Sequence, residues 1–313
     1  MTSHRKLERD LIYADMAAVT ALLDQLDAED VMSRFSLEAR RDELRDKIGG
    51  FGEEPEETIA SAILFFGGRP VRGTQGIESE FAGAAVSKFQ DLIAKVMAQE
   101  VGALGQRGVV PHKSASTLHI TNVARGSFGF VLEEVQAQTQ LVDTSLKSAV
   151  DEAVQLLDAF GEPDETHFQA AIETIDQRVL ATAHEFFDLM RQGGATLRLV
   201  AGMSDHSFGV EAVNRAAERA TSTTVEDAEE NVQGQLAGVL PEAHQFEFRL
   251  SDDRGVVRGK VDRALASHTL AKFNRDMVNV DAQARLQVKR VLRNGVIARE
   301  SYTLVGLTPA DEA

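Results

Sequence analysis

A chain of 313 residues with 43% apolar and 26% charged side chains is long enough for two ordinary domains and too apolar to remain disordered. It contains no cysteine, which excludes disulfides, thiolate nucleophiles and every cysteine-ligated zinc or iron–sulfur centre. A formal charge of -16 excludes a uniformly phosphate-binding surface, because an anionic protein repels nucleic acid unless its positive charge is segregated.

Segregation is present. Val232 to Pro309 carries twelve Lys/Arg against eight Asp/Glu, a net +4, while residues 1–231 carry -18. The first ten residues are polar and charged, and no run approaches the ~20 apolar residues of a bilayer span. A cytoplasmic chain with no membrane partner is expected.

In chain order, Leu7, Leu11, Ile12, Val19, Leu22, Leu23 and Leu26 recur at helical spacing. Phe35, Leu37, Leu44 and Ile48 do the same before Gly49-Gly50, so residues 1–50 read as a helical hairpin. A polar linker at Glu53–Glu57 precedes the nearly unbroken apolar run Ile59–Phe66, which predicts a buried strand. Ile77, Phe81, Ala85, Phe89, Leu92 and Val96 then mark one face of a long helix. Alternation at Leu118, Ile120 and Val123, then Phe128, Phe130 and Leu132, predicts a hairpin about Ala124-Arg125-Gly126. Helices are expected over about 143–160 and about 164–191.

A second hairpin follows at Thr196–Leu199 and Ser207–Val210. Its Thr-Leu and Ser-Phe-Gly steps match Thr117-Leu118 and Ser127-Phe128-Gly129. Each hairpin comes after a Phe-Gln pair, Phe89-Gln90 and Phe168-Gln169, so residues 51–222 read as a body with two duplicated helix–hairpin units. Ser-Phe-Gly also suits tight strand entry by itself.

The polar stretch Thr221–Glu230 reads as a domain boundary. Beyond it, strands are expected at 233–240, 244–250, 256–261, 282–291 and 298–307, with a helix at about 264–273. That order suits a small five-stranded β-barrel, OB-like or SH3-like, over residues 229–309. The expected fold is therefore α+β: a helical hairpin, a helix-rich α/β body, and the barrel.

Three places are candidates for chemistry. Gly67–Gly76 joins a buried strand to a helix start, where Arg69 and Arg72 with the backbone of Gly73, Thr74 and Gly76 can hold an anion. It lacks the Lys-[Ser/Thr] of a Walker loop, and a structural turn is the competing reading. His112 and Lys113, followed by His119 and Arg125, place an acid–base group beside a cation, although no nucleophile elbow accompanies them. In the barrel, Arg285 and Lys289 alternate with Leu286 and Val288. With Arg249, Arg290 and Arg299 they form a candidate nucleic-acid face. Phe246 and Phe248 share one side of their strand, either as core or as a stacking pair.

His184 and Asp188 at i, i+4 make one ligand pair, short of the three protein ligands of a catalytic zinc, so neither a metal nor a cofactor is expected. Two functional readings follow. One is a non-enzymatic binding or assembly protein, its acidic body contacting protein partners or a second copy and its basic barrel recognising a ligand such as single-stranded nucleic acid. The other is an enzyme acting on a phosphate-bearing ligand, a nucleotide or nucleic acid, at Gly67–Gly76, with His112, Lys113 or Glu78 doing the chemistry.

Overall fold

The chain is mixed α+β in a computed structural model that describes residues 3–26, 30–50, 58–102, 104, 108–124, 128–135, 142–252 and 255–310. It divides into two compact units, Met1–Phe168 with Thr182–Ala217, and Gln169–Ala181 with Glu218–Ala313. Among the described residues no helix is long and apolar enough to cross a membrane.

The first unit opens with helices α1 (Ser3–Gln25) and α2 (Val31–Gly49). They close on Val19, Leu23 and Leu44, with Arg40 reaching Asp15 at 2.7 Å. The predicted apolar stripe is only partly used, since Leu11, Leu22 and Phe35 face solvent. The run Ser61–Gly68 is strand β1, buried from Ser61 to Phe66. A short hairpin, β2 (Val71–Arg72) and β3 (Gly76–Ile77), leads into α3 (Ser79–Val101), and a 3-10 turn at Lys113–Ser116 leads into β4 (His119–Ala124) and β5 (Phe128–Glu133). The acidic linker at 53–57 and the hairpin residue Arg125 lie outside the described residues.

Helix α4 (Ser145–Gly161) is capped by Thr144, whose hydroxyl accepts from Lys147 N at 3.0 Å. The single helix expected over 164–191 is two, α5 (Glu165–Ile172) and α6 (Gln177–Gly193). Thr174 turns back onto the Ala171 carbonyl, and Asp176 accepts from Arg178 N at 2.7 Å to start the second helix. Apolar spacing runs through such a break unmarked, because the polar caps that make it are local.

Strands β6 (Ala195–Ala201) and β7 (Ser204–Phe208) complete an antiparallel sheet of order β4-β5-β1-β6-β7. The two hairpins flank β1 but are not equivalent: the second strand of one and the first of the other pair with it. Nor do the Phe-Gln pairs match. Gln90 holds the Ser116 carbonyl and Leu118 N at the entry to β4, whereas Gln169 is an exposed residue of α5.

Helix α7 (Val210–Ser222) precedes β8 (Thr223–Leu240), β9 (Gln245–Leu250), β10 (Val256–Val261), α8 (Ser267–Asp276), β11 (Asp281–Arg293) and β12 (Val296–Pro309). The five strands close into a ring, β10-β12-β11-β8-β9. Phe246, Phe248, Leu270, Leu286 and Leu304 are among its core residues, which decides between the two readings of the phenylalanine pair. The ring shuts through only two parallel pairs, Lys260 with Thr303 and Val261 with Leu304. Gly259 makes the closure possible, because a Cβ there would stand 2.1 Å from the Tyr302 carbonyl oxygen.

The polar stretch at 221–230 runs from the end of α7 into the first half of β8, which pairs with β11 in the register Arg290 to Glu226 and Lys289 to Asp227. Opposite charges across an antiparallel pair are favourable, so the same residues that look like a solvated run in sequence extend a strand in the fold.

Candidate functional site

The Gly67–Gly76 segment carries the short β2–β3 hairpin. Arg69 donates to the carbonyls of Gln192 at 2.7 Å and Gly193 at 3.3 Å. It thereby caps the C-terminal end of α6, where a cation suits the helix dipole. Arg72, Gly73 and Thr74 are exposed at the hairpin tip, where Gly73 has φ +56°, and Gly76 is half-buried in β3.

His112 is exposed, and Lys113 pairs with Asp91 at 2.6 Å. Asp91 lies twelve residues beyond Ser79, the first residue of α3, which is about 18 Å along the helix axis. The enzyme reading needs these groups to meet within a few ångströms, and this spacing keeps the Gly67–Gly76 turn and His112-Lys113 apart. His119 is exposed on β4. Asp188 is taken up by Arg191 at 2.6 Å and by Gln192.

Four of the five barrel residues picked for nucleic acid are engaged within the second unit. Arg290 is gripped by Glu230 and by Glu300 at 2.6 Å, which holds its guanidinium pKa above the usual value. Arg299 meets Glu173 at 2.5 Å, Arg285 lies 3.6 Å from Glu229, and Lys289 donates to the Ile175 carbonyl at 3.1 Å. Beside Lys289, burial raises the Asp227 carboxyl pKa, with the lysine offsetting part of the shift. From Glu218 to Ala313 the chain has thirteen Lys/Arg against fifteen Asp/Glu. The positive balance found from Val232 onward therefore vanishes once the acidic half of β8 is counted with the ring it belongs to.

The fifth residue, Arg249, is on the other side of the ring, the outer face of β8, β9 and β10. Here a groove of about 650 Å³ is lined by Gly238, Leu240, Gln245, Glu247, Arg258 and Lys260, among others. The period-two pattern of β9 and β10 sends Phe246, Phe248, Val257 and Val261 inward, leaving Gln245, Glu247, Arg249, Arg258 and Lys260 on the outside. Arg258 shares Glu247 at 3.2 Å, while Arg249 and Lys260 have no ion partner among the described residues. A register shift between Leu236 and Gly238 interrupts the β8–β9 ladder at the groove. Among the described residues no aromatic side chain is exposed on this face, since Phe246 and Phe248 are core.

Sequence reading selected Arg249 and passed over Arg258 and Lys260, which have the same outward parity on the next strand. The unbroken alternation from Val256 to Val261 was the signal available for them. Comparison of the chain with protein-family models, with curated proteins and with solved structures finds no match.

Proposed function

We propose that this is a non-catalytic binding protein whose recognition surface is the outer face of β8, β9 and β10, and that its ligand is an extended acidic segment of a partner protein. The observation that carries the reading is this outer face: Arg249, Arg258 and Lys260 stand against the single carboxylate of Glu247, and the groove beside Arg258 and Lys260 is also lined by Ala237, Gly238 and Leu240. Numbering the ring strands one to five from β8, their order is one-two-three-five-four, with a helix between three and four and a parallel closure. We read this as an OB-type arrangement, in which strands two and three commonly form the binding face.

A peptide suits the groove better than single-stranded nucleic acid. Sequence-tolerant binding of bases relies on exposed aromatic platforms, and this face has none among its described residues. The first half of β10 also has an edge not paired to β12, where an extended chain can add main-chain hydrogen bonds. The strongly acidic remainder of the chain limits non-specific polyanion binding.

The test is fluorescence anisotropy of a labelled peptide of alternating Glu and Val, titrated with the full-length protein across a salt series. Binding that weakens with salt and drops at least about tenfold in Arg258→Glu with Lys260→Glu is expected. Tighter binding of a single-stranded oligonucleotide of equal charge would move the assignment to nucleic acid, and binding of neither would remove the groove from consideration.

A further inference from the structure

A second constellation lies in the first unit, at the corner where α4 turns into α5. Asp158 is in the last turn of α4, Glu162 follows at i+4 as its C-cap residue, and His167 is in the first turn of α5. One donor atom from each lies within 4.8 Å of the other two. His167 Nδ1 is 2.6 Å from Glu162 Oε2. From β7, His206 places Nδ1 2.8 Å from Asp158 Oδ1.

The corner is held in shape independently of any ligand. Asp164 caps α5 by accepting from Thr166 N at 2.8 Å, and Arg215 donates to the Gly161 carbonyl at 3.0 Å. Gly161 lets β7 approach, since a Cβ there would stand 2.6 Å from the Phe208 ring. That approach is what brings His206 to Asp158. The far nitrogen of His206, Nε2, is buried without a hydrogen-bond partner. The tautomer that leaves no buried N–H unsatisfied carries its proton on Nδ1 and donates it to Asp158.

We propose that Asp158, Glu162 and His167 bind a divalent transition-metal ion of the Zn²⁺ class, with His206 positioning the Asp158 carboxylate. Two carboxylates and one imidazole nitrogen are ligand types that zinc accepts, at about 2.0–2.2 Å. Donors at that radius in a tetrahedron lie about 3.4 Å apart, close to the spacing of the three donor atoms, all within 4.8 Å of one another. The nitrogen ligand disfavours Mg²⁺ and Ca²⁺, which take oxygen sets. A histidine hydrogen-bonded to a ligating carboxylate is the outer-shell support such sites use. Three protein ligands leave room for water, and a bound ion would clamp the α4–α5 corner to β7.

The experiment is calorimetric titration of Zn²⁺ into the full-length protein after dialysis against a chelator, with thermal unfolding of the same samples. One equivalent is expected to bind and to raise Tm. Binding should be lost in His167→Ala and in Glu162→Gln, be about 10- to 100-fold weaker in His206→Ala, and be unchanged in His184→Ala. His167 is half exposed, and circular dichroism checks that its variant is folded. Absence of binding, or equal binding by His167→Ala, overturns the site. Equal affinity in His206→Ala overturns the role of that residue, and Ca²⁺ or Mg²⁺ binding as tightly as Zn²⁺ overturns the assigned metal class.

Discussion

The two sides of the ring use the same residue types for opposite ends. On the side of β11, β12 and the first half of β8, arginine and lysine are answered by Glu229, Glu230, Glu300, Glu173 and a backbone carbonyl. On the side of β9 and β10, Arg258 has Glu247, while Arg249 and Lys260 have no ion partner among the described residues. A cation gripped by carboxylates of neighbouring strands, as Arg290 is by two, is part of the scaffold; one with no such partner, or with a single exposed one as Arg258 has, is available to a ligand. Counting charge along the chain does not separate these cases, because strand pairing brings residues sixty positions apart side by side, as with Arg290 and Glu230.

The largest expected effect comes from breaking the closure that makes the two sides distinct. Gly259→Ala drives a Cβ into the Tyr302 carbonyl, and backbone cannot move aside as a side-chain tip can. A loss of about 3 kcal/mol or more is expected, read as a lowered urea midpoint. Gly238→Ala, on the groove side, meets nothing within 4 Å and should stay within about 0.5 kcal/mol of the parent. Equal effects from the two glycines would mean that the β10–β12 junction is not what holds the ring.

The next effect sharpens the charge comparison. Arg290→Ala leaves Glu230 and Glu300, each about a quarter to a third exposed, facing one another without their cation. The expected loss is about 1–2 kcal/mol, between the values for exposed and buried pairs. Arg249→Ala removes an exposed side chain and should change stability by less than about 0.5 kcal/mol. In the peptide titration the order reverses, with Arg290→Ala near the parent and Arg249→Ala weaker.

Much of the ring was legible in advance because its strands alternate cleanly and its turns carry punctuation, as at Asn294-Gly295. The acidic half of β8 was not, because Glu226, Asp227, Glu229 and Glu230 are poor strand formers by propensity, and only the basic partner strand makes them favourable. For the same reason the basic patch was misread: Lys289 and Arg290 were seen without the carboxylates that pairing supplies. The break between α5 and α6 depends on one Thr and one Asp turned toward the backbone. The groove depends on parity, which was readable at Arg249 and equally at Arg258 and Lys260. The Asp158–Glu162–His167 corner combines an i, i+4 pair with a histidine brought back by a helix–helix turn, and His206 reaches it only through the sheet.

The smallest effect tests whether every pairing in the ladder is stabilising. Burial raises the Asp227 carboxyl, and the opposing pull of Lys289 is the lesser influence. The folded state therefore holds this proton more tightly than the unfolded chain, where an aspartate titrates near 3.9. Stability contributed by this group is present below the unfolded pKa and is lost as pH rises through the raised folded pKa. Asp227→Asn should accordingly raise stability at pH 7, read as a higher urea midpoint, by no more than roughly 0.5 kcal/mol because the half-exposed carboxyl is screened by water. Its advantage should shrink as pH is lowered into the carboxylate range and be gone below about pH 3.5. A loss of stability at pH 7 would show instead that the attraction to Lys289 outweighs desolvation at this position.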